Sequence, residues 1–388
     1  MKILIATDNY YPNVNGASYS AQRLAYQLHL RHHDVLVIAP SRKIHDETFV
    51  HWDIKTFGIR SMPLERIRIA WPFISSNIIE QTIKIFRPDI IHIQSHFYIS
   101  RKSALIAKKL GIPVVGTNHF MPENIVHYLH APALAKNRLT KLGWTHFCRT
   151  FNLLDAVTTP TQTAANHLKG IGLNKPVKVI SNGIDLKRFN PSNDGQKLKI
   201  RCQLPDRPIL LFVGRLDKDK NLESVIRAFK NVVNKVPIQL VLAGIGAEES
   251  RLKELTCELH LKSNITFTGF VSNEELSSLY ALAHVFIMAG HVELQSISTM
   301  EAMATGLPVI AANAMALPEL VHNKQNGFLF NHGDVDAIAT AIYKLFTNPV
   351  LHQSMSQESL AIVAHHDINK VTEDFINLYN SAISKRQS

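Results

Sequence analysis

The hydrophobic pattern of the chain consists of short apolar runs that alternate with segments long enough to form a helix. In the first half these runs are KILIAT, DVLVIAP, IIHIQ, PVVGTN, AVTTPT and VKVISNG. In the second half they are PILLFVG, IQLVLAG, NITFTGF, VFIMAG and LPVIAA. Continuous apolar runs rich in Val and Ile are typical of parallel strands buried on both faces. The pattern therefore predicts an α/β protein with two doubly wound, Rossmann-like domains in tandem.

The boundary between the two series is expected in the turn-rich segment NPSNDGQKLKIRCQLPDRP, residues 190–208. We therefore expect an N-terminal domain over residues 1–190 and a C-terminal domain over 191–366. Residues 367–388 are predicted to form a closing helix that packs back on the N-terminal domain. Ligands of such folds bind at the carboxyl ends of the strands, so two domains that face each other would line a cleft.

Composition is that of an ordinary soluble protein, with 388 residues, 46% of them hydrophobic and 19% charged. The first apolar run ends at Asp8 after about five residues, which is too short for a signal peptide. No uncharged stretch approaches the roughly 18 residues that a transmembrane helix needs. Cys148, Cys202 and Cys257 lack C-x-x-C spacing, which argues against a disulfide framework or a cysteine metal site. A cytoplasmic, reducing location fits this cysteine usage.

The formal net charge of +11 is concentrated in the first half of the chain. Residues 1–190 hold 24 Lys and Arg against 11 Asp and Glu, a charge of +13, whereas residues 191–388 hold 18 against 20, a charge of −2. Two basic segments also contain aromatic residues: Lys136, Arg138, Lys141, Trp144, Phe147 and Arg149, and Arg60, Arg66, Arg68, Trp71 and Phe73. Cations beside interfacial aromatics suit docking on an anionic lipid surface, but a basic surface over core aromatics explains each segment as well. Nucleic acid is not expected as a partner, because no recognition motif accompanies the charge.

Two candidate residues follow strands of the first series. Gly16, in DNYYPNVNGAS, would let a backbone approach a ligand closely, and the helix N-terminus after it would favour a phosphate. An ordinary loop glycine is the alternative. His119 follows PVVGTN and could hydrogen-bond a polar substrate or carry a proton. The chain has twenty histidines, so position alone leaves the role of His119 open.

Three further candidates follow strands of the second series. Arg215 and Lys220, in GRLDKDKN, suit a diphosphate, and an arginine can bind two of its oxygens at once. A solvated charged loop is the alternative. Asp217 and Asp219 have the D-x-D spacing of some metal sites, but the adjacent lysines argue against a cation, and we expect no metal. Gly244, after IQLVLAG, suits close approach by a nucleotide or an ordinary strand-to-helix turn.

Two carboxylates, Glu293 and Glu301, interrupt the mostly apolar or small residues of HVELQSISTMEAMATGLPVIAA. The segment SISTMEAMATG predicts a helix that ends at Gly306. Ser298 and Glu301 fit an S-x-x-E capping box, which would make Glu301 structural. In a continuous helix the two carboxylates would point about 80° apart. The pair makes better sense with Glu293 in a strand-end loop and Glu301 in the first or second helical turn, both facing one cavity that accepts a polyol.

Taken in order, the E-x7-E motif with EAMATGLPVIA, the GRLDKDKN loop, ISNGIDLKRF and LPELV…NGFLF resemble family 4 glycosyltransferases of the GT-B fold over essentially the whole chain. The segments GTNHFMPEN, TPTQTAA and ELQSISTMEAMA are most similar to a bacterial branch that includes diacylglycerol glucosyltransferase-like enzymes. The resemblance implies a retaining hexosyltransferase that binds a sugar nucleotide in the interdomain cleft, mainly through the C-terminal domain. It implies no cofactor and no metal.

The resemblance also implies a role for each candidate residue. Arg215 and Lys220 would neutralise the diphosphate and stabilise charge that develops on it as it leaves. Glu301 would accept from the ribose hydroxyls, and Glu293 would contact the transferred sugar. His119 would hydrogen-bond that sugar close to the reacting carbon. The other implied donor contacts are Gly16, Gly244, the backbone near Phe270 and Val271, which would meet the base, and the loop residues Ser296 and Ile297.

Two loops depart from the family pattern. Between the glutamates the family commonly has a glycine-containing loop such as G-F-G, whose amides face the phosphate and the sugar, whereas this chain has LQSIS. Leu294 to Ile297 would therefore present their amides with side chains attached. The usual G-G of the first loop is NGA, which leaves only Gly16.

The leading hypothesis is a peripheral enzyme on the inner face of the cell membrane that transfers a hexose, glucose from UDP-glucose, to a lipid such as diacylglycerol. A GDP-mannose-dependent mannosyltransferase acting on a phosphoinositide or another glycan is one alternative. A nucleotide-sugar epimerase and a non-catalytic sugar-nucleotide-binding protein are others, and the intact set of candidate residues argues against both.

Overall fold

The computed structural model describes residues 1–13, 15–64, 67–70, 76–122 and 132–387. The chain forms two compact units, Met1–Gly183 with Ile368–Ser388, and Ile184–Asp367. The division therefore falls at 183/184, whereas the sequence placed it at 190/191. The physical reason is that Ile184 and Phe189 are buried in the core of the second unit. The backbone amide of Ile184 also donates to the carbonyl of His366, within the same unit.

The first unit is built on a sheet with the strand order β10-β9-β8-β7-β1-β2-β4-β3. Its strands are β1 (Lys2–Ala6), β2 (Asp34–Pro40), β3 (Glu47–His51), β4 (Ile54–Ile59), β7 (Ile90–Ile93), β8 (Val114–Thr117), β9 (Ala156–Thr159) and β10 (Val177–Val179). Neighbours pair in parallel except β3 with β4. A separate antiparallel pair consists of β5 (Ser61–Leu64) and β6 (Ile67–Ala70).

Helices cover both faces of this sheet. They are α1 (Gly16–Leu30), α2 (Ser76–Phe86), α3 (Tyr98–Leu110), α4 (Ala133–Phe151) and α5 (Gln162–Gly170). Successive side chains of a strand point to opposite faces. Ile3 and Ile5 of β1 accordingly belong to a core that contains α1 residues, whereas Leu4 and Ala6 belong to one that contains residues of α2, α3 and α4. Burial on both faces explains why the strand segments are continuously apolar.

The second unit is built on a parallel sheet with the order β13-β12-β11-β14-β15-β16. Its strands are β11 (Ile209–Val213), β12 (Gln239–Ala243), β13 (Ile265–Gly269), β14 (Val285–Met288), β15 (Val309–Ala312) and β16 (Gly327–Phe330). Its helices are α6 (Gln196–Arg201), α7 (Leu222–Val233), α8 (Glu249–Glu258), α9 (Leu276–Leu282), α10 (Ile297–Ala304), α11 (Val335–Thr347) and α12 (Pro349–Val363). Every residue of β12, β14 and β15 is buried. The prediction of two doubly wound α/β sheets is confirmed.

The last helix, α13 (Ile368–Gln387), belongs to the first unit. Its buried residues Val371, Phe375 and Tyr379 recur every four positions and lie in the same core as Ile3 and Ile5. The helix therefore packs in the core of the unit formed by the start of the chain. Within the part of the chain that the structure describes, no helix is both long and apolar enough to cross a membrane.

Candidate functional site

Three neighbouring strands of the second sheet carry most of the candidate residues of that unit. The central strand β11 lies between β12 and β14. Arg215 and Lys220 follow β11, Gly244 follows β12, and Glu293 follows β14. The carboxyl ends of parallel strands meet at one edge of a sheet, so these loops converge. The topology thus brings together residues that are up to 78 positions apart, from Arg215 to Glu293.

Lys220 is the centre of a group of charges at this edge. Its ammonium lies 2.7 Å from Oε1 of Glu293 and 2.9 Å from Oδ2 of Asp219. Burial alone would lower the pKa of Lys220, but the attraction of Glu293 and Asp219 raises it above its ordinary value. Burial likewise favours neutral Asp219, yet Lys220 and then Arg215 hold the pKa of its carboxyl below its usual range. The lysine and the aspartate therefore both stay charged at neutral pH.

Asp217 joins the loop after β11 to the loop after β12. Its side chain accepts from the guanidinium of Arg215 and, at 2.8 Å, from the backbone amide of Ala247. Both carboxylates of the D-x-D spacing are thus bound by groups of the protein, Asp217 by Arg215 and Asp219 by Lys220. In the described portion of the chain, no group of three or more His, Cys, Asp or Glu side chains could hold a metal ion.

Packing alone explains why position 244 is a glycine. Its φ is +138°, a conformation that side-chain-bearing residues rarely adopt, and an added Cβ would lie 1.9 Å from the carbonyl oxygen of Gly214. The glycine thus permits the loops after β11 and β12 to touch. The ordinary-turn interpretation accounts for this residue, and a donor contact at Gly244 stays a prediction.

The helix α10 begins one residue after the serine that caps it. Ser296 Oγ accepts from the amide of Thr299 at 3.3 Å and from its hydroxyl at 2.9 Å. Ser298 lies inside the helix, so the capping box that would pair it with Glu301 is wrong. Ile297 is the first helical residue, and its amide belongs to the first turn, whose N–H groups have no intrahelical acceptor. Such a helix start favours negative charge.

Glu301 lies in the second turn of α10 and is buried, with 4% of its surface exposed. Its Oε2 accepts from the hydroxyl of Tyr280 on α9 at 3.0 Å. Glu293 lies in the loop between β14 and α10, as predicted. The chain thus places one carboxylate beside a cation and the other beside a phenol. Tyr280 was not predicted from the sequence, because nothing in the sequence of α9 indicates that it contacts a residue on another helix.

The loop after β13 contains the residues expected beside a base. Gly269 has a φ of +67°, which turns the chain sharply out of the strand. Phe270 is then 52% exposed, whereas Val271 is buried in the core. The exposed ring sits at the strand-end edge of the sheet, where a flat apolar partner could stack.

In the first unit, Gly16 is the first residue of α1 and follows β1. The helix is capped by Asn15, whose Oδ1 accepts from the amide of Ser18 at 3.0 Å and from the side-chain amide of Asn9 at 2.8 Å. Gly16 itself is exposed. The predicted arrangement of a glycine at a helix N-terminus after the first strand is present.

His119 follows β8, which pairs with β7. Its Nε2 lies 2.8 Å from Oε1 of Gln94, at the end of β7. Burial lowers the pKa of His119 to about 4, so its ring is neutral at pH 7. Of the two chemistries that the sequence allowed, a hydrogen bond from a neutral ring is the one this environment favours. Gln94 was missed, because a single glutamine in an apolar run carries no motif.

The aromatic residues of the first basic segment are core residues, not interfacial ones. Trp144 and Phe147 are 7% and 0% exposed and belong to a core of the first unit. The guanidinium of Arg60 pairs with Asp46 at 2.6 Å, and Nε of Arg68 donates to the carbonyl of Ser41, also at 2.6 Å. The interpretation of core aromatics under a basic surface is therefore correct for these residues.

Three residues of the second basic segment, Arg66, Trp71 and Phe73, lie outside the described residues. The first half of α4 exposes leucines, not aromatics. Leu134 is 79% and Leu142 64% exposed.

The excess of positive charge belongs to the first unit of the structure. Residues 1–183 and 368–388 hold 25 Lys and Arg against 12 Asp and Glu, a charge of +13.

Two family models together match most of the chain. Residues 14–188 match Glycosyltransferase Family 4, and residues 197–360 match Glycosyl transferases group 1. The sucrose-phosphate synthase structure from Thermosynechococcus elongatus superimposes with a TM-score of 0.83 at 20% identity, over 99% of this chain and 100% of that one. Anabaena HepE in complex with UDP-glucose gives 0.78 at 20% identity, over 98% and 100%. The chain belongs to the family 4 glycosyltransferases of the GT-B fold.

Within that class, the chain is a hexosyltransferase with relatives of more than one specificity. The alpha-monoglucosyldiacylglycerol synthase of Streptococcus pneumoniae is 28% identical over 97% of this chain and 85% of that protein. The GDP-mannose-dependent alpha-mannosyltransferase of Corynebacterium glutamicum is 26% identical over 92% of this chain and 83% of that protein.

Proposed function

We propose that this chain is a retaining glucosyltransferase that moves glucose from UDP-glucose to a lipid hydroxyl, with diacylglycerol as the first candidate acceptor. The observation that carries the proposal is the contact between Lys220 and Glu293, with Arg215 on the same strand-end loop as the lysine. A diphosphate needs cations and a sugar needs a hydrogen-bond acceptor, and the two kinds of group adjoin each other at this edge of the sheet.

The donor is proposed to bind with its diphosphate against Arg215 and Lys220 and against the first turn of α10, at Ser296 and Ile297. Two features support this placement: two cations and a helix start that favours anions. Because side chains can carry the charge that balances the diphosphate, we propose that the site needs no bridging metal. Glu301 would accept from the ribose hydroxyls. The exposed ring of Phe270, with Val271 beside it, would lie against the base.

The sugar is proposed to contact Glu293 and His119, and Gly16 is proposed to approach the phosphates. In the transfer, the bond between the anomeric carbon and the diphosphate oxygen breaks with its electron pair going to that oxygen. The acceptor hydroxyl forms the new bond on the same face, and its proton passes to the leaving phosphate. Arg215 and Lys220 stabilise the negative charge that develops there, which is the term that lowers the barrier most in such sites.

The lipid acceptor is supported by the charge of the first unit and by the first half of α4. Exposed Leu134 and Leu142 lie eight positions apart, about 80° from each other around the helix, with exposed Arg138 and Lys141 between them in sequence. Apolar side chains that enter a bilayer boundary beside cations that meet anionic head groups suit a peripheral location at the inner face of the cell membrane. Among the relatives, the Streptococcus pneumoniae protein is named for glucosyldiacylglycerol synthesis.

Turnover of purified protein with a panel of UDP- and GDP-sugars, first without acceptor and then with diacylglycerol in mixed micelles, tests the proposal. We expect UDP release from UDP-glucose, accelerated by diacylglycerol, and an α-linked glucolipid as the product. A β-linked product would overturn the retaining mechanism. Loss of activity in EDTA that returns with a divalent cation would overturn the proposal that no metal is required.

A GDP-mannose-dependent mannosyltransferase acting on a phosphoinositide or another glycan is the second candidate. The observation in its favour is the similarity to GDP-mannose-dependent enzymes, among them that of Corynebacterium glutamicum. The same panel separates the two candidates, since this one predicts GDP release from GDP-mannose. Release of an isomerised sugar without acceptor would indicate an epimerase, and binding without turnover would indicate a non-catalytic sugar-nucleotide-binding protein.

A further inference from the structure

A chain of hydrogen bonds leads from His119 into the core of the first unit. Nε2 of His119 lies 2.8 Å from Oε1 of Gln94. The amide nitrogen of Gln94 lies 3.3 Å from Nδ1 and 3.2 Å from Nε2 of His92. That ring is held at both ends, by Thr117 Oγ1 on Nε2 and by the hydroxyl of Tyr379 on Nδ1, each at 2.7 Å. Three segments that are distant in sequence, residues 92–94, residues 117–119 and Tyr379, thus meet around His92 and Gln94.

The strand geometry explains why these residues meet. His92 and Gln94 are two positions apart at the end of β7, so their side chains leave the strand on the same face. β8 is the next strand, and Thr117 is its last residue, two positions before His119. Gln94 therefore lies between an inner histidine and the candidate site histidine. It is buried, with 4% of its surface exposed.

The contacts of His92 fix the orientation of the Gln94 amide. Both nitrogens of the His92 ring already have a hydroxyl partner in hydrogen-bond distance. An amide nitrogen nearly equidistant from the two must lie over the ring, whose negatively charged face attracts N–H donors. The amide oxygen of Gln94 then faces His119. A carbonyl oxygen only accepts, so the hydrogen of the His119 ring lies on Nε2.

The electrostatic environment keeps both rings neutral. Burial lowers the pKa of His92 to about 3, and that of His119 to about 4. A neutral imidazole has one N–H and one lone pair. With the hydrogen of His119 committed to Gln94, its lone pair lies on Nδ1.

We propose that Gln94 is a positioning residue, which holds His119 in the Nε2–H tautomer so that Nδ1 accepts a hydrogen bond from a hydroxyl of the transferred sugar. The sugar contact rests on the function proposed above, whereas the tautomer rests on the contacts alone. Without Gln94, the ring can rotate or exchange its hydrogen to Nδ1, and a donor then points where an acceptor is required. Tyr379 acts indirectly, because its hydroxyl holds the His92 ring in place and that ring in turn contacts the Gln94 amide.

The tautomer is tested directly by long-range 15N–1H spectra of the imidazole rings in the full chain labelled with 15N-histidine. The His119→Gln variant identifies the His119 signals by their loss. We expect wild type to show one tautomer, protonated at Nε2, and Gln94→Met to show a mixture of the two. Gln94→Glu keeps an oxygen acceptor at this position and should restore the single tautomer. A wild-type ring protonated at Nδ1 would overturn the proposal.

The kinetic test uses UDP-glucose turnover, with Gln239→Met as a matched control. Gln239 is also a buried glutamine with a side-chain hydrogen bond, to Thr266, but it lies in the second unit. Loss of an aligning contact at the reacting centre should lower kcat of Gln94→Met about tenfold to a hundredfold, with a much smaller change in KM for the donor. Tyr379→Phe should lower kcat less than Gln94→Met, and Gln239→Met should leave it within about twofold.

The failures of the two proposals can be told apart. If wild type neither binds nor turns over any sugar nucleotide, the proposed function fails and the tautomer result still stands by itself. If wild type turns over UDP-glucose and Gln94→Met has an unchanged kcat, the proposed positioning role is wrong. Thermal melts of each variant show whether a lower kcat reflects loss of folded protein. Gln94→Glu keeps an oxygen acceptor for His119, so a kcat closer to wild type than that of Gln94→Met would support the positioning role.

Discussion

Lys220 donates to Oε1 of Glu293 at 2.7 Å and thereby joins the loop after β11 to the loop after β14. The two side chains are 12% and 15% exposed, and Asp219, 7% exposed, shares the same ammonium. One lysine thus balances two carboxylates in a mostly dry environment. Under the proposed function, a bound diphosphate would also contact that ammonium, and Lys220 would then affect both the stability of this edge and its affinity for a donor.

Replacement of Lys220 by Met should destabilise the protein and weaken donor binding. Removal of the lysine leaves the carboxylates of Glu293 and Asp219 buried without the cation that they share, which costs about 3 kcal/mol in such pairs. Urea unfolding measures this cost. The double variant with Glu293→Gln should recover part of it, with a coupling energy of about 1–2 kcal/mol. Lys218→Met is the control: Lys218 is exposed, and its replacement should change stability by less than about 0.5 kcal/mol.

Replacement of Ser296 by Ala should destabilise α10, whereas replacement of Ser298 should not. Ser296 is the residue whose hydroxyl accepts from the amide of Thr299, and loss of such a cap costs about 1 kcal/mol. Ser298 is within the helix and contributes no cap. Equal effects of the two substitutions in urea unfolding would contradict this assignment.

Replacement of Glu301 by Gln should weaken UDP binding without unfolding the helix. The substitution keeps the shape but removes the charge, and hydrogen bonds to a charged acceptor are worth about 1.5–3 kcal/mol. The dissociation constant from calorimetry should therefore rise at least about tenfold. Tyr280→Phe removes one hydrogen bond to the same carboxylate and should have a smaller effect on UDP affinity. An unchanged affinity in Glu301→Gln would show that the carboxylate has only a structural role.

Stability should fall as the pH is lowered below neutrality. Burial lowers the pKa of His92 and of His96 to about 3 and that of His119 to about 4, so the folded protein leaves all three rings neutral between pH 4 and 6.5. The unfolded chain binds protons there, and stability therefore rises with pH across this window and is fully present above about pH 6.5. Thermal melts between pH 5 and 8 measure the slope.

His96 offers a specific check of that slope. It is 1% exposed, and its ring lies against Phe97, Phe120 and Phe147. His96→Phe should reduce the number of protons taken up on unfolding at pH 5 by about one. At pH 8 the same substitution should change stability much less than it does at pH 5. A slope identical to that of wild type would exclude His96 as a source of the acid sensitivity.

Replacement of both Leu134 and Leu142 by Ser should weaken vesicle binding without loss of stability. The side chains are 79% and 64% exposed, so the folded protein loses little packing, whereas burial of apolar surface in a bilayer boundary would be lost. Flotation with vesicles of phosphatidylglycerol and phosphatidylcholine measures the effect. Val350→Ser, at a residue 80% exposed in the second unit, is the control. Wild-type protein that does not bind these vesicles at low salt would overturn the membrane proposal.

The apolar pattern predicted the strands that are buried on both faces, because no solvent-facing polar residues interrupt their apolar runs. The strand β16 was missed for a related reason. It begins with Gly327, a residue that predicts turns, yet a Cβ there would lie 1.8 Å from the carbonyl oxygen of Val309. The glycine is required by close approach of β15. Strands β3 and β4 were missed because they have polar positions that face solvent.

The candidate residues divide in the same way. Arg215, Lys220 and Glu293 could be found because each directly follows a strand and belongs to a recognisable motif. Gln94 could not, because its importance comes from partners on other strands and from Tyr379, a residue 287 positions away from His92. Spacing in sequence shows which residues share an element, and it does not show which elements meet.

The helix α13 has a consequence for how the protein is made. Its residues complete the core that β1 begins, although the whole second unit is translated between them. Domains generally fold as they emerge from the ribosome, the first one first. The first unit therefore cannot complete its core until α13 has been synthesised. The apolar surface that α13 covers stays exposed while the second unit is made. The unit that is translated first is the one that closes last.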